Sequence, residues 1–112
     1  MKRGEVYKVS ATTFAATLGQ RLYVVVSRQV LIDSRFATVA CAPIFNRNDG
    51  LATQVPLGKE DGLKKDCCIH ADELVSLPKS ALSERVGMLT PAKLEALNRA
   101  ISVALDLPPT LA

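Results

Sequence analysis

Only one stretch of this 112-residue chain carries a sustained helical period, and it comes last. Thr90 is placed to cap it, and Pro91 suits the first helical position, where a missing N–H costs nothing. Leu94, Leu97, Ile101 and Leu105 follow at i, i+3, i+7 and i+11 as one apolar stripe, with Lys93, Glu95, Asn98 and Arg99 on the remaining surface. Pro108-Pro109 stops anything beyond. What precedes Thr90 is therefore left to short strands and turns, and the stripe needs a sheet to lie on.

The strand signals are read in order. Glu5 to Val9 alternates as a first strand, and the Thr-rich stretch from Ser10 to Gln20 reads as a long connecting loop. Leu22 to Ser27 is β-branched and apolar almost throughout, which predicts a strand covered on both faces. After Val30-Leu31-Ile32, Asp33-Ser34-Arg35 reads as a turn or a single helical turn. Phe36 to Ala42 is the next strand, ended by Pro43. Asn46-Arg47-Asn48-Asp49-Gly50 is the strongest turn signal, since these residue types tolerate positive φ, and it predicts a hairpin into Leu51–Val55. Another turn falls at Lys59-Glu60-Asp61-Gly62, followed by strands at Asp66–Glu73, at Leu74–Lys79 through Pro78, and at Arg85–Leu89. The sum is a mainly β chain with a C-terminal helix: one small, strongly bent sheet or barrel spanning 1–112 as a single domain.

Composition excludes several classes. With 48% hydrophobic and 22% charged residues, the chain has the apolar content that disordered segments lack. Aromatic residues are 4% and Trp is absent, so the core must be built from Val, Leu, Ile and Ala. A chain this short buries a modest share of its surface, which makes dimerisation physically reasonable. No apolar h-region follows Met1-Lys2-Arg3-Gly4-Glu5, and the run Leu22–Val26 is too short to span a bilayer. No membrane association is expected. Cys41, Cys67 and Cys68 are odd in number and lack CxxC spacing, which points to reduced thiols in the cytoplasm rather than to a metal or disulfide framework.

The net charge of +3 is unevenly spread. Residues 1–56 hold seven basic and three acidic side chains, whereas residues 57–112 hold seven basic and eight acidic. A basic first half, with Arg21, Arg28, Arg35 and Arg47, suits a polyanion partner, although solvated surface arginines give the same count.

A set of short blocks, in order, resembles the MazF/PemK (Kid-like) toxin family of type II toxin–antitoxin systems. They are Met1-Lys2-Arg3-Gly4-Glu5-Val6-Tyr7, Gly19-Gln20-Arg21 entering Val24-Val25-Val26-Ser27, and Val39-Ala40-Cys41-Ala42-Pro43. Gly50-Leu51-Ala52-Thr53-Gln54-Val55-Pro56-Leu57, Gly62-Leu63-Lys64-Lys65-Asp66, Ala71-Asp72-Glu73 and Arg85-Val86-Gly87 follow, and then the capped helix. The resemblance implies an SH3-like barrel of the CcdB/MazF/Kid type working as a homodimer. It also implies a metal-independent, sequence-selective endoribonuclease with no cofactor, which cuts single-stranded RNA and is neutralised by a MazE-like antitoxin.

That chemistry lets a 2′-hydroxyl attack the adjacent phosphorus. It needs a base for the hydroxyl, an acid for the leaving 5′-oxygen, and cations for the charge on phosphate. By resemblance, Arg21 matches the arginine that contacts the scissile phosphate, and Asp72 matches the aspartate of an Arg-Cys-Asp strand that here reads His70-Ala71-Asp72. Spaced i and i+2 on a predicted strand, His70 and Asp72 would leave the same face as an acid–base pair, with Cys67, Ile69 and Ala71 on the buried face. A surface His bonded to Asp72 for local structure is the plainer alternative. Gln20, Asn46 and Arg47 are candidate RNA contacts, and Phe14 is either a stacking platform or a core residue. Phe45 stands where many members carry Thr or Ser, and Leu22 where Pro is usual. These departures keep two alternatives open: a silent MazF-fold protein that binds RNA or antitoxin, and a CcdB-like gyrase poison.

Overall fold

The computed structural model describes residues 1–9 and 22–108. The loop read at Ser10 to Gln20 therefore lies outside the described residues, and so do the readings placed on Phe14, Gln20 and Arg21.

Strands β1 (Glu5–Val9), β2 (Leu22–Val25), β3 (Thr38–Phe45), β4 (Gln54–Leu57), β5 (Cys67–His70), β6 (Val75–Pro78) and β7 (Leu82–Met88) form one antiparallel sheet. Its order is β4-β5-β3-β2-β1-β7, and β6 also pairs with β3. Helix α1 (Gln29–Asp33) follows β2, and helix α2 (Pro91–Ala104) closes the described chain. The apolar alternation of β2 feeds two cores at once. Val24 joins Val6, Ile44, Val55, Ile69 and Leu97 on one side, while Tyr23 and Val25 join Val39, Cys41 and Leu77 on the other. The sheet is thus covered on both faces at its centre, as its β-branched sequence predicts.

Helix α2 forms where its ends are signalled. The Thr90 hydroxyl accepts from the Lys93 N–H at 3.3 Å, and Pro91 occupies the first turn. Leu97 and Ala100 are buried, Leu94 and Ile101 are half-buried, but Leu105 is 54% exposed and falls off the end of the stripe. Among the described residues, no helix is long and apolar enough to cross a membrane.

Four readings are corrected. Pro43 does not end its strand: β3 runs through it to Phe45, and Pro43 pairs with Tyr23. It sits between the residues of β3 that pair with β6 (Thr38 to Cys41) and those that pair with β5 (Ile44 and Phe45). The missing N–H thus falls where the neighbour changes, and no ladder bond is lost. The predicted hairpin between β3 and β4 does not form, because β5 lies between them and pairs with both. Helical structure after β2 takes in Gln29 to Asp33 itself, with Ser34 as its C-cap. The strand read at Asp66–Glu73 is only Cys67–His70, because the chain turns into a 3-10 turn at Ala71–Glu73.

Candidate functional site

Two glycines shape the entrance to a groove beside β7. The chain leaves β4 through a 3-10 turn at Lys59–Asp61 and reverses at Gly62, whose φ of 87° is costly for any other residue. Gly87 of β7 lies beneath this turn, and a Cβ there would collide with the backbone carbonyl oxygen of Asp61. The buried Asp61 carboxylate accepts from the Gly58 N–H at 3.1 Å and from the Thr90 N–H at 3.4 Å. It thereby ties the turn to the start of α2. Leu63 is drawn into the core, and Lys64 and Lys65 are left on the surface.

The resulting depression, about 640 Å³, is lined by Lys8, Leu22, Asn46, Lys64, Lys65 and Glu84 among others. Lys8 and Glu84 face each other across β1 and β7. A second depression of about 330 Å³ shares Asn46 and Cys67 with the first and extends to Lys93. The first hollow carries three lysines against Glu84, whereas in the second Lys93 donates to the Pro56 carbonyl and pairs with Glu60, with Asp66 nearby; Asn46 stands at the junction. The half-buried Cys67 thiol is pushed up by burial and then by Cys68, Asp61 and Asp66, so it stays protonated and is a poor nucleophile.

Beside the junction lies a second group of side chains, held by the β3–β5–β4 pairing. Phe45 is opposite Cys68, so its ring reaches diagonally to His70. The two ring centroids are 4.5 Å apart with planes at 57°. His70 is only 5% exposed; its Nε2 lies 2.9 Å from the carbonyl oxygen of Arg47, and its Nδ1 is 3.6 Å from a Glu73 carboxylate oxygen. A carbonyl only accepts, so Nε2 carries the proton and donates. Asp72 stands on the 3-10 turn, exposed, and accepts from the Thr53 hydroxyl at 2.6 Å. The same-face pair read from sequence is therefore not what forms. His70 turns inward under Phe45, Asp72 turns outward beyond the end of β5, and neither is among the residues lining the two hollows. The expectation for Cys67, Ile69 and Ala71 holds in part. Ile69 and Ala71 are core residues, but Cys67 is only half-buried in the wall of the hollows, and Cys68 and His70 on the other face are buried as well.

Arg47 is exposed and pairs with Asp49 at 3.0 Å. Asn46 lines both hollows, while Gln20 and Arg21 lie outside the described residues, Arg21 immediately preceding the groove residue Leu22. The sequence reading missed Lys8, Lys64, Lys65, Lys93 and Glu84. The adjacent Lys64-Lys65 after a glycine turn was the available signal. Lys8 and Glu84 become neighbours only through the β1–β7 pairing.

Comparison with known proteins settles the family. Residues 2–105 match the PemK-like, MazF-like toxins of type II toxin–antitoxin systems. This chain belongs to that family. Among curated MazF proteins, it is 31% identical over 96 residues to the probable endoribonuclease MazF2 of Mycobacterium tuberculosis, spanning 84% of this chain and 87% of the relative. A solved mycobacterial endoribonuclease in complex with its cognate antitoxin superposes with a TM-score of 0.83 at 26% identity, over 98% of this chain and 99% of the other. The Mycobacterium tuberculosis toxin MazF-mt6 gives 0.79 at 26% identity, over 93% and 98%. MazF folds thus tolerate wide divergence around a common sheet and C-terminal helix.

Proposed function

We propose that this MazF-family toxin is an endoribonuclease that cuts single-stranded RNA by 2′-hydroxyl attack without a metal ion. The observation that carries this reading is the hollow of about 640 Å³ lined by Lys8, Lys64 and Lys65, which shares Asn46 and Cys67 with its neighbour. The curated and mycobacterial relatives named endoribonucleases support the same reaction class.

In this reading Arg21 holds the scissile phosphate, because a guanidinium grips two phosphate oxygens and offsets their added charge in the transition state. Lys64 and Lys65 carry the flanking backbone, and Gln20 and Asn46 donate to it. Asp72 is the exposed carboxylate of the pair, steadied by Thr53, and takes the proton of the 2′-hydroxyl as that hydroxyl's oxygen bonds to phosphorus. The P–O5′ bond breaks, and the leaving 5′-oxygen is protonated by solvent water. His70, buried and bonded to the chain at Arg47, acts on the loop rather than on the substrate.

The partners follow from the same surface. An acidic antitoxin segment fits the lysines of the first hollow and would compete with RNA for them. A homodimer is supported by the exposed Val103, Leu105 and Leu107 at the end of α2, and a reducing cytoplasm by three unpaired cysteines. A second reading, a toxin fold that binds RNA without cutting it, is favoured by one observation. Phe45 fills the position of the family hydroxyl and is locked against His70.

Incubation of the purified protein with long single-stranded RNA in EDTA separates the two. Fragments ending in 2′,3′-cyclic phosphate or 3′-phosphate support the endoribonuclease. Intact RNA that is nonetheless bound by folded protein supports the second reading.

A further inference from the structure

The β4–β5 ladder places Gln54 directly opposite His70, and both side chains reach into the loop that begins after Phe45. His70 Nε2 donates to the Arg47 carbonyl at 2.9 Å. The Gln54 carbonyl accepts from the Asp49 N–H at 2.8 Å and the Leu51 N–H at 3.4 Å, while its amide donates to the Asp49 carboxylate at 3.2 Å. That same carboxylate oxygen receives Arg47 Nε at 3.0 Å. Arg47 is therefore held from both ends, its backbone by His70 and its guanidinium by an Asp49 that Gln54 fixes. The Arg47 side chain remains 75% exposed.

An exposed Arg–Asp pair contributes little by itself. Here it is built on a buried imidazole and a cross-strand amide, so the arginine is oriented before any ligand arrives and loses little freedom on binding. An oriented guanidinium with free N–H groups matches two adjacent acceptors. Guanine presents O6 and N7 and unpaired cytosine presents O2 and N3, and of these the guanine pair is the commonest arginine contact. Single-stranded RNA exposes that edge.

We infer that the His70–Gln54 pair is a positioning device for Arg47, and that Arg47 reads a guanine close to the cut. The inference rests on the endoribonuclease reading and deepens it, giving the site a base preference. His70 is then a positioning residue rather than a catalytic one.

The test maps cut sites in a random-sequence single-stranded RNA pool, in EDTA, for the wild-type protein and for Arg47→Ala, His70→Gln and His70→Asn. A glutamine amide nitrogen overlays the imidazole Nε2 and can still donate to the Arg47 carbonyl, whereas an asparagine amide overlays Nδ1 and cannot. Guanine enrichment at one position beside the cut is expected in the wild-type protein. It falls about tenfold in Arg47→Ala and in His70→Asn and is retained in His70→Gln, with thermal unfolding confirming folded protein. If the His70 variants do not fold, Gln54→Leu removes the other support and is expected to lose the same enrichment.

Loss of cutting in Arg47→Ala by an equal factor at every sequence would make Arg47 a phosphate contact and overturn the proposal. Retained guanine enrichment in folded His70→Asn, or in Gln54→Leu, overturns the positioning role. If the wild-type protein cuts nothing, the endoribonuclease reading fails by itself. Binding of uncleavable 2′-O-methyl oligonucleotides with and without guanine then decides this inference: preference for guanine sustains it and indifference ends it.

Discussion

Phe45 lies against His70 with ring centroids 4.5 Å apart, and this contact closes the imidazole under the end of β3 while its Nε2 holds the Arg47 carbonyl. Phe45 thus supports the loop that follows it. Phe45→Thr introduces a hydroxyl at the cost of that support. The expected result is a loss of about 1–2 kcal/mol, from the aromatic pair and half-buried ring area, read from urea unfolding. An unchanged midpoint would show that the stack carries no stability.

Gly87 tolerates no side chain, because the Asp61 carbonyl occupies the space a Cβ would need. Gly87→Ala must displace the 59–62 turn from β7, at a cost of about 1–3 kcal/mol by the usual scale of overpacking. The same displacement moves Lys64 and Lys65, so RNA binding is expected to weaken together with the thermal midpoint. Stability lost with RNA affinity unchanged would separate the turn from the groove.

The carboxyl of Glu5 makes the fold sensitive to acid. Burial disfavours its charge, but hydrogen bonds from the Lys2 backbone, Arg85 and Tyr7 outweigh that and hold it below its ordinary value of 4.5. A carboxyl depressed in the folded state stabilises fully above its unfolded pKa, and that contribution fades as pH falls through the folded one. Since Arg85 is more than half exposed, the contribution is discounted to about 1 kcal/mol. Glu5→Gln should lower the unfolding midpoint at pH 7 and converge on wild type well below pH 4.5. Parallel pH curves would contradict this origin.

The three thiols differ in a way that alkylation can read. Burial pushes Cys41 up to about 12 and raises Cys68 as well, whereas Cys67 is half-buried in the wall shared by the two hollows. With native protein, Cys67 is expected to react first, more slowly than a free thiol, and Cys41 and Cys68 only on unfolding. Bound single-stranded RNA should slow Cys67 further. Equal rates for all three would mean that the sheet opens before it reacts.

Much of the fold was legible where local chemistry and burial agree. Thr90 and Pro91 mark the start of α2, and the β-branched run at Val24 and Val25 marks a strand buried on both faces, because these signals depend on the residues themselves. The misread elements depend on partners distant in sequence. Pro43 is tolerated inside β3 only because β6 gives way to β5 beside it, and β4 finds β5 rather than β3 although the turn chemistry at 46–50 suits a hairpin. The site divides in the same way. Asn46 and Arg47 are visible as loop residues, but alternation along a strand placed His70 and Asp72 side by side. The 3-10 turn at Ala71 takes Asp72 off the strand, while His70 is buried against Phe45. Lys8 joins the adjacent Lys64 and Lys65 around one hollow only after β1 meets β7 and Gly62 reverses the chain.

The most direct test of the account is cleavage of a long single-stranded RNA in EDTA by wild-type protein, Arg21→Ala and Asp72→Asn, each confirmed as folded. The account predicts metal-free cutting by wild type and a loss of about 10²–10⁴-fold in each variant, the scale of removing a transition-state cation or a general base. Wild-type rates in Asp72→Asn would remove Asp72 from the chemistry, and intact RNA with wild-type protein would contradict the endoribonuclease itself.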